Sequence, residues 1–215
     1  MSETHPFKSF IPQGAVSIII GTFPPMARCY NFKFYYPNNT GNKFWTIMEY
    51  GFNYKFKYWE GNIAVNERQS LFDKNHIALT DMIEKCTRFK NNSSDKNLDE
   101  IEFRNVYKLL KENPTIRKII LTSRTDGNSG QIHKKHLSKS RTNSALELLN
   151  EHLRNRKIFI QNLHKESNGL IKGNLKLDNR MINIFVPYTP TTRWYNIDKR
   201  KVIDMYKKAL THETY

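Results

Sequence analysis

Three short segments contain residue types that can carry out chemistry, and each follows an apolar run typical of a buried strand. They read Gly21-Thr22-Phe23-Pro24-Pro25, Thr80-Asp81 and Pro187-Tyr188-Thr189-Pro190. Together they supply a carboxyl group, several hydroxyls and aromatic rings, which can hold a small polar ligand through hydrogen bonds and stacking. Because loops that leave the carboxyl ends of parallel strands meet at one edge of a sheet, we expect the three segments to converge on one cleft.

A tract of aromatic and amide residues follows the first segment. Its rings belong to Tyr30, Phe32, Phe34, Tyr35 and Tyr36, and the tract continues as Asn38-Asn39-Thr40-Gly41-Asn42-Lys43-Phe44-Trp45. Rings interleaved with lysine and asparagine suit a nucleobase held between aromatic faces while the cations meet phosphates. For any single ring, packing in the core is the competing interpretation.

The net charge indicates a polyanionic partner. The chain has 35 Lys and Arg against 20 Asp and Glu, a formal charge of +15 over 215 residues. Nucleic acid is the first candidate partner, an acidic membrane surface is the second, and a charge that only confers solubility is the third interpretation. The basic side chains predicted to contact phosphates cluster in one loop and are Lys134, Lys135, Lys139 and Arg141. The alternative for these four is a solvated loop.

Composition excludes several classes of protein. With 38% apolar and 13% aromatic residues, the chain can bury a core and is not disordered as a whole. Cys29 and Cys86 are too few for a disulfide framework, and His133 with His136 lacks a second ligand pair for zinc. The longest apolar run, residues 15–20, is far shorter than the roughly 20 residues of a membrane span. We therefore expect one soluble, cytoplasmic domain over residues 1–215, without a metal or cofactor.

Strands and helices alternate in the predicted secondary structure. Strands are predicted at residues 15–20, 76–83, 118–123, 158–160 and 181–186. Helices are predicted at residues 44–52, 67–74, 97–112, 143–154 and 197–210. The segment between the last two strands, which contains Asn168-Gly169, is predicted to hold a hairpin. This alternation favours a three-layer α/β/α sandwich around a mainly parallel central sheet.

Seven short motifs occur in order along most of the chain. They are Gly21-Thr22-Phe23-Pro24, Tyr35-Tyr36, Asn42-x-Phe44-Trp45-x-Ile47-Met48, Ile77-Ala78-Leu79-x-Asp81, Cys86-x-Arg88, Ser94-Asp95 and Val186-Pro187-x-Thr189-x-x-Thr192. The ordered set resembles the uracil-DNA glycosylase superfamily, and most of all its deoxyinosine (hypoxanthine) DNA glycosylase branch. The resemblance implies a uracil-DNA-glycosylase-like fold and hydrolysis of the bond between a base and its sugar, after the nucleotide has been flipped out of the duplex.

The resemblance also implies roles for single residues around the base. Asn42 would be the catalytic residue that orients the attacking water, because an amide can position a water but is no strong base. Asp81 would read the edge of the base, Phe23 would stack on it, and Tyr36 belongs with the base-binding residues. The competing interpretations are an N-cap of the following helix for Asn42, an N-cap or surface turn for Asp81, and core packing for Phe23.

The resemblance implies DNA contacts for the loop of the last motif, residues 186–192, which we call the late loop, and for the residues after it. Thr189 lies in the late loop. Arg193 and Trp194 follow it, where a wedge residue enters the duplex in the family. Trp194 can equally pack under the final helix. Among the motif positions, Pro25 replaces a glycine of the branch and so lacks a backbone N–H. Tyr188 replaces a serine.

The predicted function is that of a monomeric DNA glycosylase that excises hypoxanthine or uracil in base excision repair. The alternative is a catalytically inactive nucleic-acid-binding protein of the same fold. Asn42, Asp81 and the Phe44-Trp45 pair favour the enzyme, whereas Pro25 and the altered late loop favour the alternative.

Overall fold

Short apolar runs form the strands of this protein, and helices with one apolar side connect them. The computed structural model describes residues 2–37, 41–90, 93–124, 144–191 and 198–211. In these ranges the strands are β1 (Ser2–Thr4), β2 (Ser17–Gly21), β3 (Ile77–Asp81), β4 (Ile83–Arg88), β5 (Leu98–Phe103), β6 (Lys118–Leu121), β7 (Ile160–Lys165), β8 (Ile171–Leu177) and β9 (Arg180–Val186). The helices are α1 (Phe44–Phe52), α2 (Gly61–Lys74), α3 (Val106–Glu112), α4 (Ala145–Arg154) and α5 (Lys199–Thr211).

The central sheet has six strands in the order β3-β2-β6-β9-β8-β7. The first four run parallel, with Ile18 opposite both Ala78 and Ile119 in register. The strands predicted to share one sheet therefore do so. The predicted hairpin is also present, as β7 and β8, and its turn contains Gly169 at a φ of +92°. Because β8 also pairs antiparallel with β9, the sheet is mixed beyond its parallel half.

Helices cover both faces of this sheet. Successive side chains of a strand point to opposite faces, so Ile18 and Ile20 lie in one hydrophobic cluster and Ile19 lies in another. The first cluster takes apolar side chains from α3 and α4, and the second takes them from α1, α2 and α5. The parallel strands are consequently buried from both sides, which explains their continuous apolar runs. Within the described ranges, no helix combines the length and apolar character needed to cross a bilayer.

A second, antiparallel sheet has the order β1-β4-β5 and corrects one prediction. The helix predicted at residues 97–112 is wrong in its first half, where Leu98–Phe103 form β5. Ile101 and Phe103 pack against the core while Glu100 and Glu102 are exposed, and Glu100 has a φ of +46° where the pairing with β4 shifts register. Pairing with a distant strand therefore overrides the helical tendency of a Glu-rich segment.

Other boundaries differ from the prediction by a few residues. Helix α2 begins at Gly61, six residues earlier than predicted, and the strand predicted at 158–160 is displaced to Ile160–Lys165. Helix α4 begins after Ser144, which forms a capping box with Glu147. Buried Leu146, Leu149 and Leu153 lie on its apolar side, as predicted.

Arg68 lies within the second hydrophobic cluster, and its hydrogen bonds go to backbone carbonyls rather than to a carboxylate. Arg68 of α2 is fully buried and donates hydrogen bonds to the carbonyls of Tyr58 and Ala64. Its guanidinium carbon lies 4.3–5.2 Å from the centroids of four aromatic rings, those of Phe32, Trp45, Phe56 and Trp59. Cation–π contacts thus compensate part of the lost hydration of this cation.

Candidate active site

A cavity of about 430 Å³ lies at the carboxyl ends of β2, β3, β6 and β9. All three polar segments predicted to converge contribute to its walls, together with the loop before α1 and the turn between β4 and β5. Its lining includes five predicted site residues, Phe23, Tyr36, Asn42, Asp81 and Thr189. The other predicted site residues lie outside the described part of the chain and are Lys134, Lys135, Lys139, Arg141, Arg193 and Trp194.

Asp81, the last residue of β3, is buried and forms a hydrogen bond with His5. The Nε2 atom of His5 lies 2.8 Å from Oδ2 of Asp81, and the side chain of His5 is fully buried. The backbone N–H of Phe7 donates to Nδ1 of His5 at 3.1 Å. Because a backbone N–H can only donate, Nδ1 is the acceptor and Nε2 carries the proton. Asp81 Oδ2 is therefore an acceptor, and the surface-turn interpretation of Asp81 is wrong.

Gly21 allows the carboxyl group of Asp81 to occupy this position. The two residues are direct partners in the parallel pairing of β2 and β3. A Cβ atom at Gly21 would collide with Oδ1 of Asp81 and would lie 2.9 Å from the hydroxyl oxygen of Tyr36. A side chain at position 21 would thus displace two residues of the cavity wall.

Tyr36 contributes its hydroxyl to the cavity wall rather than a free ring face. The ring stacks on Phe44 at a centroid distance of 3.8 Å, and the hydroxyl forms a 2.9 Å hydrogen bond with Oγ1 of Thr122. Burial, together with the charge of Asp81, raises the pKa of Tyr36 well above its ordinary value, so the hydroxyl keeps its proton. Tyr36 has a φ of +52°, a conformation that bulky residues rarely adopt and that clusters at functional sites.

Phe23 is half-buried, and its contacts fit both interpretations made from the sequence. Its ring meets the ring of His5 edge-on at 5.6 Å and packs against the first hydrophobic cluster, yet Phe23 also lines the cavity. Arg88 lies 5.8 Å from the centroid of the same ring and donates to the carbonyl of Pro24. Since Arg88 is itself paired with Glu3 at 2.8 Å, the small sheet braces the Phe23 loop.

Asn42 lies beside the late loop, one residue before Lys43, which is the N-cap of α1. The N-cap interpretation of Asn42 is therefore wrong by one position, although Oδ1 of Asn42 accepts the backbone N–H of Phe44 at 2.8 Å. A bridge between Asn42 and Thr191, with a 2.6 Å bond from the Lys43 N–H to the carbonyl of Pro190, fixes this position. A carbonyl oxygen has two lone pairs, so the bond from Phe44 is compatible with a second bond from a water.

Asp95 is a member of the cavity wall that sequence reasoning did not assign to the site. It begins a 3₁₀ turn between β4 and β5, in a segment that appears only polar and turn-rich from the sequence. Burial and the nearby charge of Asp81 raise the pKa of Asp95 to about 7, against a hydrogen bond from Thr22 and the charge of Arg88. The sequence did contain a signal for this residue, because Ser94-Asp95 is one of the motifs of the resemblance. The resemblance assigns no function to that motif.

Two neighbouring residues of the late loop contact different surroundings. Thr189 lines the cavity, as predicted, and the carbonyl of Thr189 accepts the N–H of Thr191 at 2.8 Å. Tyr188 instead packs on the buried guanidinium of Arg124, whose carbon lies 3.9 Å from the ring centroid. The serine-to-tyrosine difference thus affects the packing beneath the loop rather than the cavity lining.

The chain matches no family model, no curated protein and no solved structure. Within the described ranges, His, Cys, Asp and Glu side chains do not gather in threes as metal ligands. The described lining offers two carboxyl groups, an amide, several hydroxyls, the Lys96 amine and the rings of Phe23 and Tyr36 in one concave site.

Proposed function

We propose that this protein is a DNA glycosylase with a uracil-DNA-glycosylase-like fold that excises a deaminated base, hypoxanthine or uracil, by hydrolysis of the N-glycosidic bond. The observation that carries the proposal is the buried carboxylate of Asp81, held as an acceptor by His5 in a cavity that also contains Phe23 and Asn42. The cavity volume of about 430 Å³ falls within the roughly 300–1,000 Å³ typical of small-molecule sites.

The donor and acceptor pattern of the base supports this choice of substrate. Deamination converts the N1 acceptor of adenine into the N1–H donor of hypoxanthine, and the N3 acceptor of cytosine into the N3–H donor of uracil. A carboxylate at Asp81 can accept the new N–H of the deaminated base. The parent base presents a nitrogen acceptor at the same position, so two acceptors would face each other. A site built to bond one partner strongly disfavours an analogue that leaves a buried polar group unpaired.

The remaining residues fit the other requirements of base excision. A flipped base loses its stacking in the duplex, and the ring of Phe23, which lines the cavity, would replace it. Asn42 would orient a water near the sugar, and the +15 charge would supply contacts to phosphates. The proposed hydrolysis uses these side chains and a water, without a metal or a cofactor. We propose that the enzyme acts as a monomer in the cytoplasm.

A second candidate function is a nucleic-acid-binding protein of the same fold without catalysis. Two observations favour it: Pro25 lines the cavity without an N–H to offer, and Oδ1 of Asn42 already accepts the backbone N–H of Phe44. Labelled oligonucleotides that carry uracil, hypoxanthine or xanthine, assayed for alkali-labile sites, separate the two functions. Excision of at least one deaminated base, with adenine and cytosine untouched, supports the glycosylase. Tight duplex binding without strand breaks on any of the three substrates supports the alternative.

A further inference from the structure

We propose that Asp95 is the general base of the reaction, the catalytic residue that takes a proton from the attacking water. The inference rests on the proposed glycosylase function. Asn42 can orient a water, but its amide cannot take a proton from it. Two carboxyl groups are found in the described lining of the cavity, those of Asp81 and Asp95. Asp81 accepts from His5 and is assigned to the base edge, so we assign proton transfer to the second carboxyl group of the lining, Asp95.

A chain of hydroxyl groups orients Asp95. The backbone N–H of Ala145 donates to Oγ of Ser123 at 2.7 Å, and Oγ of Ser123 lies 2.8 Å from Oγ1 of Thr22. Since an ionised carboxylate can only accept, the Thr22 hydroxyl gives its single hydrogen to Asp95, and the Ser123 hydroxyl therefore donates to Thr22. The relay thus links the positive end of α4 to the Asp95 carboxyl group.

Burial and the charges around Asp95 hold the pKa of its carboxyl group near 7. Burial and Asp81 disfavour its ionised form, whereas Arg88 and the Thr22 hydroxyl favour it, and the resulting pKa is about 7. Lys96, which follows Asp95 and also lines the cavity, is the cation on the same turn. A base with a pKa close to the working pH combines a large ionised fraction with the strongest drive to accept a proton.

The oxygen of a water held at Asn42 forms a bond to C1′ of the flipped nucleotide, and one of the water protons passes to the Asp95 carboxylate. The bond between C1′ and the base nitrogen breaks, and its electron pair leaves with the base. Asp95 then returns the proton to the departing base or to solvent. The products are an abasic sugar and a neutral free base, and the carboxylate is regenerated.

Single-turnover excision measured between about pH 5.5 and 8.5 tests this role. For the wild-type protein we expect the rate to rise about tenfold per pH unit and to level off near pH 7. Asp95→Asn should lose on the order of a hundredfold or more at the plateau and should lose the inflection. Duplex binding should stay at the wild-type level. Asp99→Asn, which removes an exposed carboxyl four residues further along, is the matched control and should behave as wild type.

Thr22→Val provides a second readout that a structural role would not produce. Removing the hydroxyl that favours the ionised form should move the inflection to higher pH. This variant decides the question if Asp95→Asn fails to fold. A wild-type rate with an unchanged pH profile in Asp95→Asn, or an unmoved inflection in Thr22→Val, would overturn the role of Asp95 while leaving the glycosylase in place. A wild-type protein inert on every deaminated base would overturn both.

Discussion

His5 donates a buried hydrogen bond of 2.8 Å from Nε2 to Oδ2 of Asp81, across 76 residues of chain. The bond joins the segment after β1 to the end of β3, two elements of different sheets. The direction of this bond is fixed, because Nδ1 of His5 accepts the backbone N–H of Phe7 and Nε2 therefore carries the proton. The N-terminal segment is therefore part of the candidate site.

Replacing His5 tests whether this bond sets the choice of base. His5→Leu removes the donor and leaves Asp81 buried without it, so we expect a loss of roughly 1–3 kcal/mol in the free energy of unfolding. Excision of hypoxanthine or uracil should fall, and discrimination against the parent bases should weaken. His5→Gln, whose amide can donate from a similar position, should recover most of the discrimination. If His5→Leu melted early but kept wild-type discrimination, the bond would be structural only.

Two substitutions separate the structural role of Asn42 from its catalytic role. Asn42→Ala removes the bond from the Phe44 N–H and should cost roughly 0.5–1.5 kcal/mol of stability. Turnover should fall by on the order of a hundredfold, because a positioning group is lost. Asn42→Ser keeps an oxygen that can accept the Phe44 N–H but withdraws the amide from the cavity, so it should retain stability and still lose turnover. A serine variant as active as wild type would remove Asn42 from the mechanism.

The salt dependence of DNA binding reports how the +15 charge is used. Binding to an unmodified duplex should weaken steeply as salt rises, with a log–log slope near −0.9 for each phosphate neutralised. Alanine at Lys134, Lys135, Lys139 and Arg141 together should reduce that slope, because these residues are the predicted phosphate contacts. Affinity that stays constant between low and physiological salt would contradict an electrostatic contact with DNA.

His152 should make the fold sensitive to mild acid. It is buried, its Nε2 accepts the Tyr107 N–H, and burial with the charge of Arg156 lowers its pKa to about 4. Below its ordinary value of about 6.5, the unfolded state binds a proton that the folded state refuses. Stability should therefore fall as the pH drops from about 6.5 towards 4, by on the order of 3 kcal/mol in full. In thermal melting, the melting temperature of His152→Gln should show the same pH dependence as wild type near pH 8. Below about pH 6.5 it should fall less steeply than that of wild type.

Arg68 should be replaceable by neither lysine nor methionine without loss of stability. Lysine is shorter and more strongly hydrated, and it cannot reach the carbonyls of both Tyr58 and Ala64. We expect Arg68→Lys to lose roughly 1–3 kcal/mol in chemical denaturation. Arg68→Met, which keeps the volume but removes the cation–π contacts, should also unfold earlier. Equal stability of wild type and both variants would show that the aromatic rings contribute nothing to holding the cation.

The central sheet follows from local sequence because its signals are local. The β-branched runs around Ile18, Ile119 and Ile184 are too short for helices and carry no polar face, so they predict buried strands. Once those strands are parallel, their carboxyl ends share an edge, and the convergence of the Phe23, Asp81 and Thr189 segments on one cavity follows from topology alone.

Tertiary structure decided what depends on partners distant in the chain. Leu98–Phe103 became a strand because β4 offers it a pairing edge, although a Glu-rich segment alone is compatible with a helix. His5 entered the site because β1 pairs with β4, which no nearby residue encodes. Asp95 reached a pKa of about 7 through burial and the charge of Asp81, and the loss of hydration of a carboxyl group is a property of the assembled cavity rather than of any stretch of sequence.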